Sequence, residues 1–312
     1  MAVSKLSRLL WMNKTRQLNL VQKTIFLNTF ALSKIWYVGS IIPMQANTCK
    51  KVIQLVRQYL WQGHAVIVAF NEITLPKSKG GLNLHHPDFK SRALFVNKLH
   101  CARDNNLADL INMIENVPMK EMPPEFSYLN KAILDLRKLR SANTNSLLSS
   151  EIYNKMIEGL PMVKVVRENQ NQSWIDIFKN INNKILSSSR RSICYLFIHK
   201  KMISRELFYR QRRVSSPYCT SCNTAIETLQ HKFFECTSIN TLWQYTLAKI
   251  RRINSRKFRN KNYEICMYPS LTFLSRVERE ETMKHISNYL QYVFETSEED
   301  RSLDHYTYSL SL

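Results

Sequence analysis

Glycine sets the first limit on this chain: its 312 residues include only five. Glycine is the residue that takes positive φ without steric cost, so hairpin turns and phosphate-cradling loops draw on it heavily. The nine prolines add little further punctuation. Collagen-like, linker-like and glycine-rich low-complexity classes are excluded. Apolar residues make up 44% of the chain, enough to bury sizeable cores, so wholesale disorder is excluded too. The expectation is a mainly α protein of two or three domains.

Hydrophobic spacing fills in the helices. Leu18, Val21, Ile25, Leu32, Ile35 and Trp36 recur at near-helical intervals between Gln17 and Val38, which predicts an amphipathic helix that Pro43 breaks. Asn47 or Thr48 is placed to cap a second helix reaching about Trp61, with Gly63 as its stop. Val52, Ile53, Val56 and Leu60 would line its inner face, and Lys50, Lys51, Arg57 and Gln58 its outer face. Val66 to Leu84 is rich in β-branched residues and carries Gly80-Gly81, which predicts two short strands or extended segments. Pro87-Asp88 then opens another helix.

Pro118, Pro123, Pro124, Pro161 and the polar run SANTNSLLSS mark Met113 to Pro161 as a hinge or loosely packed helical linker. Ser173 is placed to cap a helix carrying Trp174, Ile177, Phe178, Ile181 and Ile185. Ser187 to Ser189 precede another with Cys194, Phe197 and Ile198, and a later one carries Leu242, Trp243, Leu247 and Ile250. The division expected is a helical hairpin region with a short β segment over 1–112 and a connector over 113–172. A helical domain with a Cys/His loop would follow over 173–261, then an acidic C-terminal extension over 262–312.

Charge adds a partner class. Lys and Arg number 45 and Asp and Glu 24, so the net charge is 45 − 24 = +21. Lys184 to Arg213 holds nine bases against Glu206 alone, and Lys249 to Lys261 holds seven bases and no acid. Self-repulsion on this scale is relieved by a polyanion. The basic stretches lack a lipid-facing apolar pattern, so nucleic acid rather than membrane is expected. The apolar run Ile35 to Met44 is too short to span a bilayer, and Leu9 to Met12 too short for a signal peptide. An odd set of seven cysteines speaks against a secreted disulfide scaffold. The expected setting is intracellular, nuclear or cytoplasmic.

One constellation carries chemistry. Cys219, Cys222, His231 and Cys236 form C-x2-C-x8-H-x4-C. Thiolates two residues apart on a tight turn can both reach one Zn²⁺ at about 2.3 Å, and His231 and Cys236 can close the tetrahedron after the chain reverses. Four protein ligands leave no position for a reactive water, so the zinc would be structural. Cys49, Cys101, Cys194 and Cys266 are isolated and read as small core residues. His85-His86 reads as a turn element beside Pro87.

No complete catalytic apparatus is legible. The seven Asp residues are scattered, with no adjacent pair to hold two metals. Walker, G-x-S-x-G and H-E-x-x-H patterns are absent. Catalytic residues: none.

Three blocks in order carry a resemblance. LNTFALSKIWYVGSIIP with VRQYLWQG resembles the thumb of LINE-type (non-LTR) retrotransposon reverse transcriptases, and LPKSKGGLNLHHPDFKSRALFVNKL resembles the segment after it. SWIDIFKNINNKILSSSRRSICYLFIHKKMISRELFYR with the Cys219/Cys222/His231/Cys236 loop is similar to their zinc-binding domain. The match covers most of Gln17 to Ile250. The family's palm aspartate motif and its endonuclease domain have no counterpart here, so the resemblance implies a C-terminal fragment: thumb, connector and zinc domain.

The function expected is therefore a non-catalytic nucleic-acid-binding fragment that grips retrotransposon RNA or target DNA. The candidate phosphate contacts are Lys50, Lys51, Arg57, Arg190, Arg191, Lys200, Lys201, Arg205, Arg210, Arg212, Arg213, Arg251 and Arg252. Tyr195, Phe197, Tyr209 and Tyr218 lie among those bases and are candidates to stack on unpaired bases, with core packing the alternative. Two other functions fit the same residues: a polymerase region active only when joined to the missing palm, or a domesticated zinc-binding protein-interaction module.

Overall fold

A computed structural model of the chain describes residues 2–62, 67–102, 128–141, 148–258 and 262–296, with a few single positions between 109 and 118. Gly63, Val66, Pro123, Pro124, Arg259, Lys261 and the acidic run Glu298 to Asp300 lie outside the described residues. The chain divides into two compact units. One comprises residues 1–18, 22–76 and 81–161, and the other residues 19–21, 77–80 and 162–312.

The first unit contains α1 (Ala2–Met12), most of α2 (Leu20–Phe26), a π-helical turn (Leu27–Ala31), α3 (Ser33–Ile41), α4 (Ala46–Trp61), α5 (Phe70–Thr74), α6 (Pro87–Ala102), α7 (Leu129–Ser141) and α8 (Ser149–Glu158). The helix expected from Gln17 to Val38 is interrupted by that π turn, where the Leu32 N–H donates to the Leu27 carbonyl five residues back. α3 stops at Ile41, as Pro43 requires. α6 is the hub, packed on α3, α4, α7 and α8. Arg92 on α6, only 9% exposed, ion-pairs with Asp88 at 3.3 Å and with Asp135 of α7. α7 and α8 thus belong to a packed unit, although they arise from the proline-marked stretch.

Two local expectations need correction. α4 begins at Ala46 with Gln45 at the cap position and no side-chain cap bond, so Asn47 and Thr48 lie inside its first turn. At its other end Gln62 takes the left-handed conformation, φ 49°. Lys23 donates to the Leu60 carbonyl at 3.1 Å there, which sets a cation on the negative end of the helix dipole; burial lowers the Lys23 pKa. Among the described residues the short β segment is also not formed. Phe70–Thr74 is one turn of helix and Lys77–Lys79 a 3₁₀ turn. The amides of Leu82 and Leu84 both bond the Ile73 carbonyl, and Asn83 N–H bonds Leu75 O. The returning chain thus closes on a buried helical turn instead of pairing as a strand. Gly81 permits this, because a side chain there would collide with the Leu75 carbonyl.

The second unit contains α9 (Lys164–Glu168), α10 (Trp174–Ile181), α11 (Ser188–Ile198), α12 (Arg205–Arg210), a π turn (His231–Glu235), α13 (Thr237–Ile253), α14 (Ser255–Phe258), α15 (Glu264–Met267) and α16 (Arg276–Glu295). Ser187 caps α11 by accepting from the Arg190 amide. Ser173 occupies the cap position of α10, but its hydroxyl donates to the Asp176 carboxylate. Ser275 and Glu278 form a capping box on α16. Met283, Ile286, Tyr289, Leu290 and Val293 then bury one face of α16, which packs on α11 and α13. Gly80, at φ +84°, packs so closely that a Cβ would lie 2.5 Å from Phe178 Cζ. Its carbonyl accepts from His199 Nε2 at 3.0 Å. Burial holds the His199 ring neutral, its pKa pushed down to about 4.

Among the described residues no sheet forms, and the one isolated β-bridge joins Tyr218 and Ile226. No helix among them is long and apolar enough to cross a membrane.

Candidate metal centre

The four residues of the Cys/His pattern converge. The Sγ atoms of Cys219, Cys222 and Cys236 and a ring nitrogen of His231 all lie within 4.8 Å of one another. Bonds of about 2.3 Å to sulfur and 2.0–2.1 Å to nitrogen give tetrahedral edges of roughly 3.8 Å between sulfurs and roughly 3.5 Å between sulfur and nitrogen. Cys219 Sγ and Cys236 Sγ are 3.7 Å apart, and Cys222 Sγ and His231 Nε2 are 3.4 Å apart. The cluster could therefore hold a metal ion with little rearrangement.

Local backbone chemistry builds each donor position. Cys219 N–H bonds the Ala225 carbonyl, and Asn223 N–H bonds Cys219 O, with Asn223 left-handed at φ 54°. Asparagine tolerates that conformation better than most residues, so the knuckle closes without glycine. The Tyr218–Ile226 bridge and the Glu227 N–H to Pro217 O bond clamp its base. On the other side the π turn brings the Cys236 amide back to the His231 carbonyl at 2.9 Å. His231 and Cys236 thus stand one wide turn apart, and Cys236 is also the N-cap residue of α13. The two Cys219-to-Cys222 thiols differ in character. Burial pushes Cys219 up to about 11, while the Thr224 hydroxyl and the amides of Thr224 and Ala225 hold Cys222 down to about 6. Ser238 Oγ lies 3.1 Å from Cys236 Sγ.

The floor of the centre is aromatic. Phe233 and Phe234 are buried in the main core of the unit. Phe233 meets Phe197 edge-on at 5.1 Å, Phe234 meets Trp243 edge-on at 5.0 Å, and Tyr289 Oη donates to the Phe233 carbonyl. Glu227, 2% exposed, ties the loop to the basic helix beside it. Its carboxylate accepts from the Arg205 amide at 2.9 Å, at the positive end of α12, and lies 3.8 Å from the Lys232 ammonium.

The candidate nucleic-acid residues fall into three groups. Lys200, Tyr209, Arg210, Arg212, Arg213, Tyr218, Arg251 and Arg252 are exposed in the second unit, as are Lys50 and Lys51 in the first. Arg190, Arg191, Lys201 and Arg205 are half-buried, and Arg190 Nε donates to Gln291 at 3.0 Å. Arg57 is half-buried too, its guanidinium 5.7 Å from the Phe70 ring centre. Tyr195 and Phe197 are core residues, 2% and 0% exposed, so of the four aromatics only Tyr209 and Tyr218 are open to a base.

Glu227 was missed by sequence reasoning, yet a signal existed. It is the only acid between Glu206 and Glu235, set in a strongly basic stretch, which marks a paired and buried carboxylate better than a solvated one. No protein-family model matches the chain, and no curated protein matches it either.

Proposed function

We propose that this chain is a non-catalytic nucleic-acid-binding part of a LINE-type reverse transcriptase, organised around a structural zinc held by Cys219, Cys222, His231 and Cys236. The observation that carries this reading is the closed donor set flanked by exposed cations, with Arg210, Arg212 and Arg213 before it and Arg251 and Arg252 after it. Three sulfurs and one imidazole suit Zn²⁺, and four protein donors leave no coordination site for catalytic water. The ion fixes the loop; the arginines neutralise phosphates of RNA or DNA, while Tyr209 and Tyr218 offer ring faces to unpaired bases.

Two measurements test this. Purified wild type should carry stoichiometric zinc and Cys219→Ser should not; equal metal in both removes the ligand assignment. With about four duplex phosphates neutralised, log K falls with log salt at a slope near −3.6, so affinity for a short hairpin drops roughly 150-fold from 50 to 200 mM salt. Affinity indifferent to salt refutes the phosphate contacts. Primer-extension assays on this chain should show no nucleotide incorporation.

A second reading, a protein-interaction module, draws on α3, where Tyr37, Val38 and Ile41 are 77%, 51% and 55% exposed. Stable partner binding with no affinity for RNA or DNA favours it over the first.

A further inference from the structure

The first unit presents a second basic surface, far from the Cys/His loop in sequence. Residues 1–71 contain nine lysines and arginines and no aspartate or glutamate; Glu72 is the first acid of the chain. α1, α3 and α4 all lie within this stretch, so no carboxylate of their own screens them. α1 packs on α3 and α4 through Leu6 and Leu10, which are 0% and 5% exposed. Trp11, the next residue, is 75% exposed. Such a large ring left in water beside unscreened cations is not explained by packing.

Beside it lies a cleft of about 300 Å³ between α1 and α4. Leu10, Trp11, Leu55 and the Tyr59 ring make its apolar wall, and Lys14, Gln58 and Ser7 its polar one. Tyr59 is 5% exposed, and its buried hydroxyl has no hydrogen-bond partner. The volume sits at the small end of the ligand-pocket range, roughly 300–1,000 Å³.

We infer that this cleft takes an unpaired nucleobase of a single-stranded nucleic acid, stacked on Trp11, with Gln58 facing its polar edge and Lys14 its phosphate. The occupant is set by charge complementarity: a flat, partly polar group carried on a polyanion satisfies the Trp11 ring, the Gln58 amide and the cationic field together. Neutral aromatic ligands leave the cations unmatched, and duplex nucleic acid keeps its bases out of reach. The ligand class rests on the nucleic-acid reading above, whereas the site does not depend on the metal loop.

The test uses the full chain and three probes: a short oligothymidine, an abasic strand of equal length and charge, and a duplex. Stacking of one base is worth about 1–3 kcal/mol, so Trp11→Ala should bind oligothymidine roughly 5- to 150-fold more weakly, and Trp11→Phe should recover most of the loss. Wild type should bind the abasic strand no better than Trp11→Ala binds the intact one. Gln58→Ala, which removes the polar group facing the base edge, should weaken intact-strand binding by a smaller factor and leave abasic binding unchanged. Equal affinity of wild type for intact and abasic strands, or an unchanged Trp11→Ala, overturns the inference while leaving nucleic-acid binding standing. Absence of binding to every probe overturns both together.

Discussion

Replacing Glu227 probes how the basic helix α12 is tied to the Cys/His loop. The carboxylate accepts from the Arg205 amide at 2.9 Å and faces Lys232 at 3.8 Å, and both partners are largely shielded from water. A hydrogen bond to a charged group contributes about 1.5–3 kcal/mol, and an orphaned buried amide costs a similar amount. Glu227→Ala should therefore lower the free energy of opening α12 by about 2 kcal/mol, which corresponds to roughly 30-fold faster exchange. Glu227→Gln keeps an acceptor for the Arg205 amide but removes the charge, so about half that loss is expected. Hydrogen exchange read by mass spectrometry on peptides covering Ser204 to Gln211 measures this directly. Metal content should stay at the wild-type level in both variants, because Glu227 is not among the four donors. Exchange in Glu227→Ala indistinguishable from wild type would show that α12 is held by something other than this carboxylate.

Two further outcomes follow from close packing and burial. Gly80→Ala places a Cβ against Phe178 at a φ that L-residues disfavour, and should cost about 2–4 kcal/mol in denaturant unfolding, adding backbone strain to overpacking. A loss under about 0.5 kcal/mol would contradict the close approach. Acid should also destabilise the fold before carboxylates titrate. Burial depresses His85, His86 and His199 to about 4, below their unfolded value of 6.5. Across that window the unfolded chain binds more protons, so stability is full above pH 6.5 and is lost as pH falls toward 4. Urea midpoints that stay flat between pH 7 and pH 5 would contradict neutral, buried rings.

The strongly periodic helices were legible because their burial follows a single local rule. Val52, Val56 and Leu60 on α4, and Leu242, Trp243, Leu247 and Ile250 on α13, are buried as their spacing demands. The convergence of the Cys/His loop was legible for a related reason, since a short chain segment leaves few ways to arrange four such side chains. Val66 to Leu84 misled because β-branched content reports fit to a half-buried surface, and Ile73 and Thr74 find that surface on a single helical turn. α16 was hidden by its acids: Glu278, Glu280 and Glu281 suggest a solvated end, while Met283, Ile286, Tyr289 and Val293 behind them fill the core. Nothing local distinguishes a partner-exposed cation from one laid on a ring, so Arg57 over Phe70 became visible only in three dimensions.

Cys236 holds two posts at once, last of the four clustered Cys/His side chains and N-cap residue of α13. That helix runs for 17 residues, a rod about 25 Å long. A disturbance at the donors is thus applied to the root of a lever, and Trp243 carries it into the aromatic floor two turns along. The closing of the knuckle and the footing of the basic arm after it, at Arg251 and Arg252, meet at the same sulfur-bearing residue.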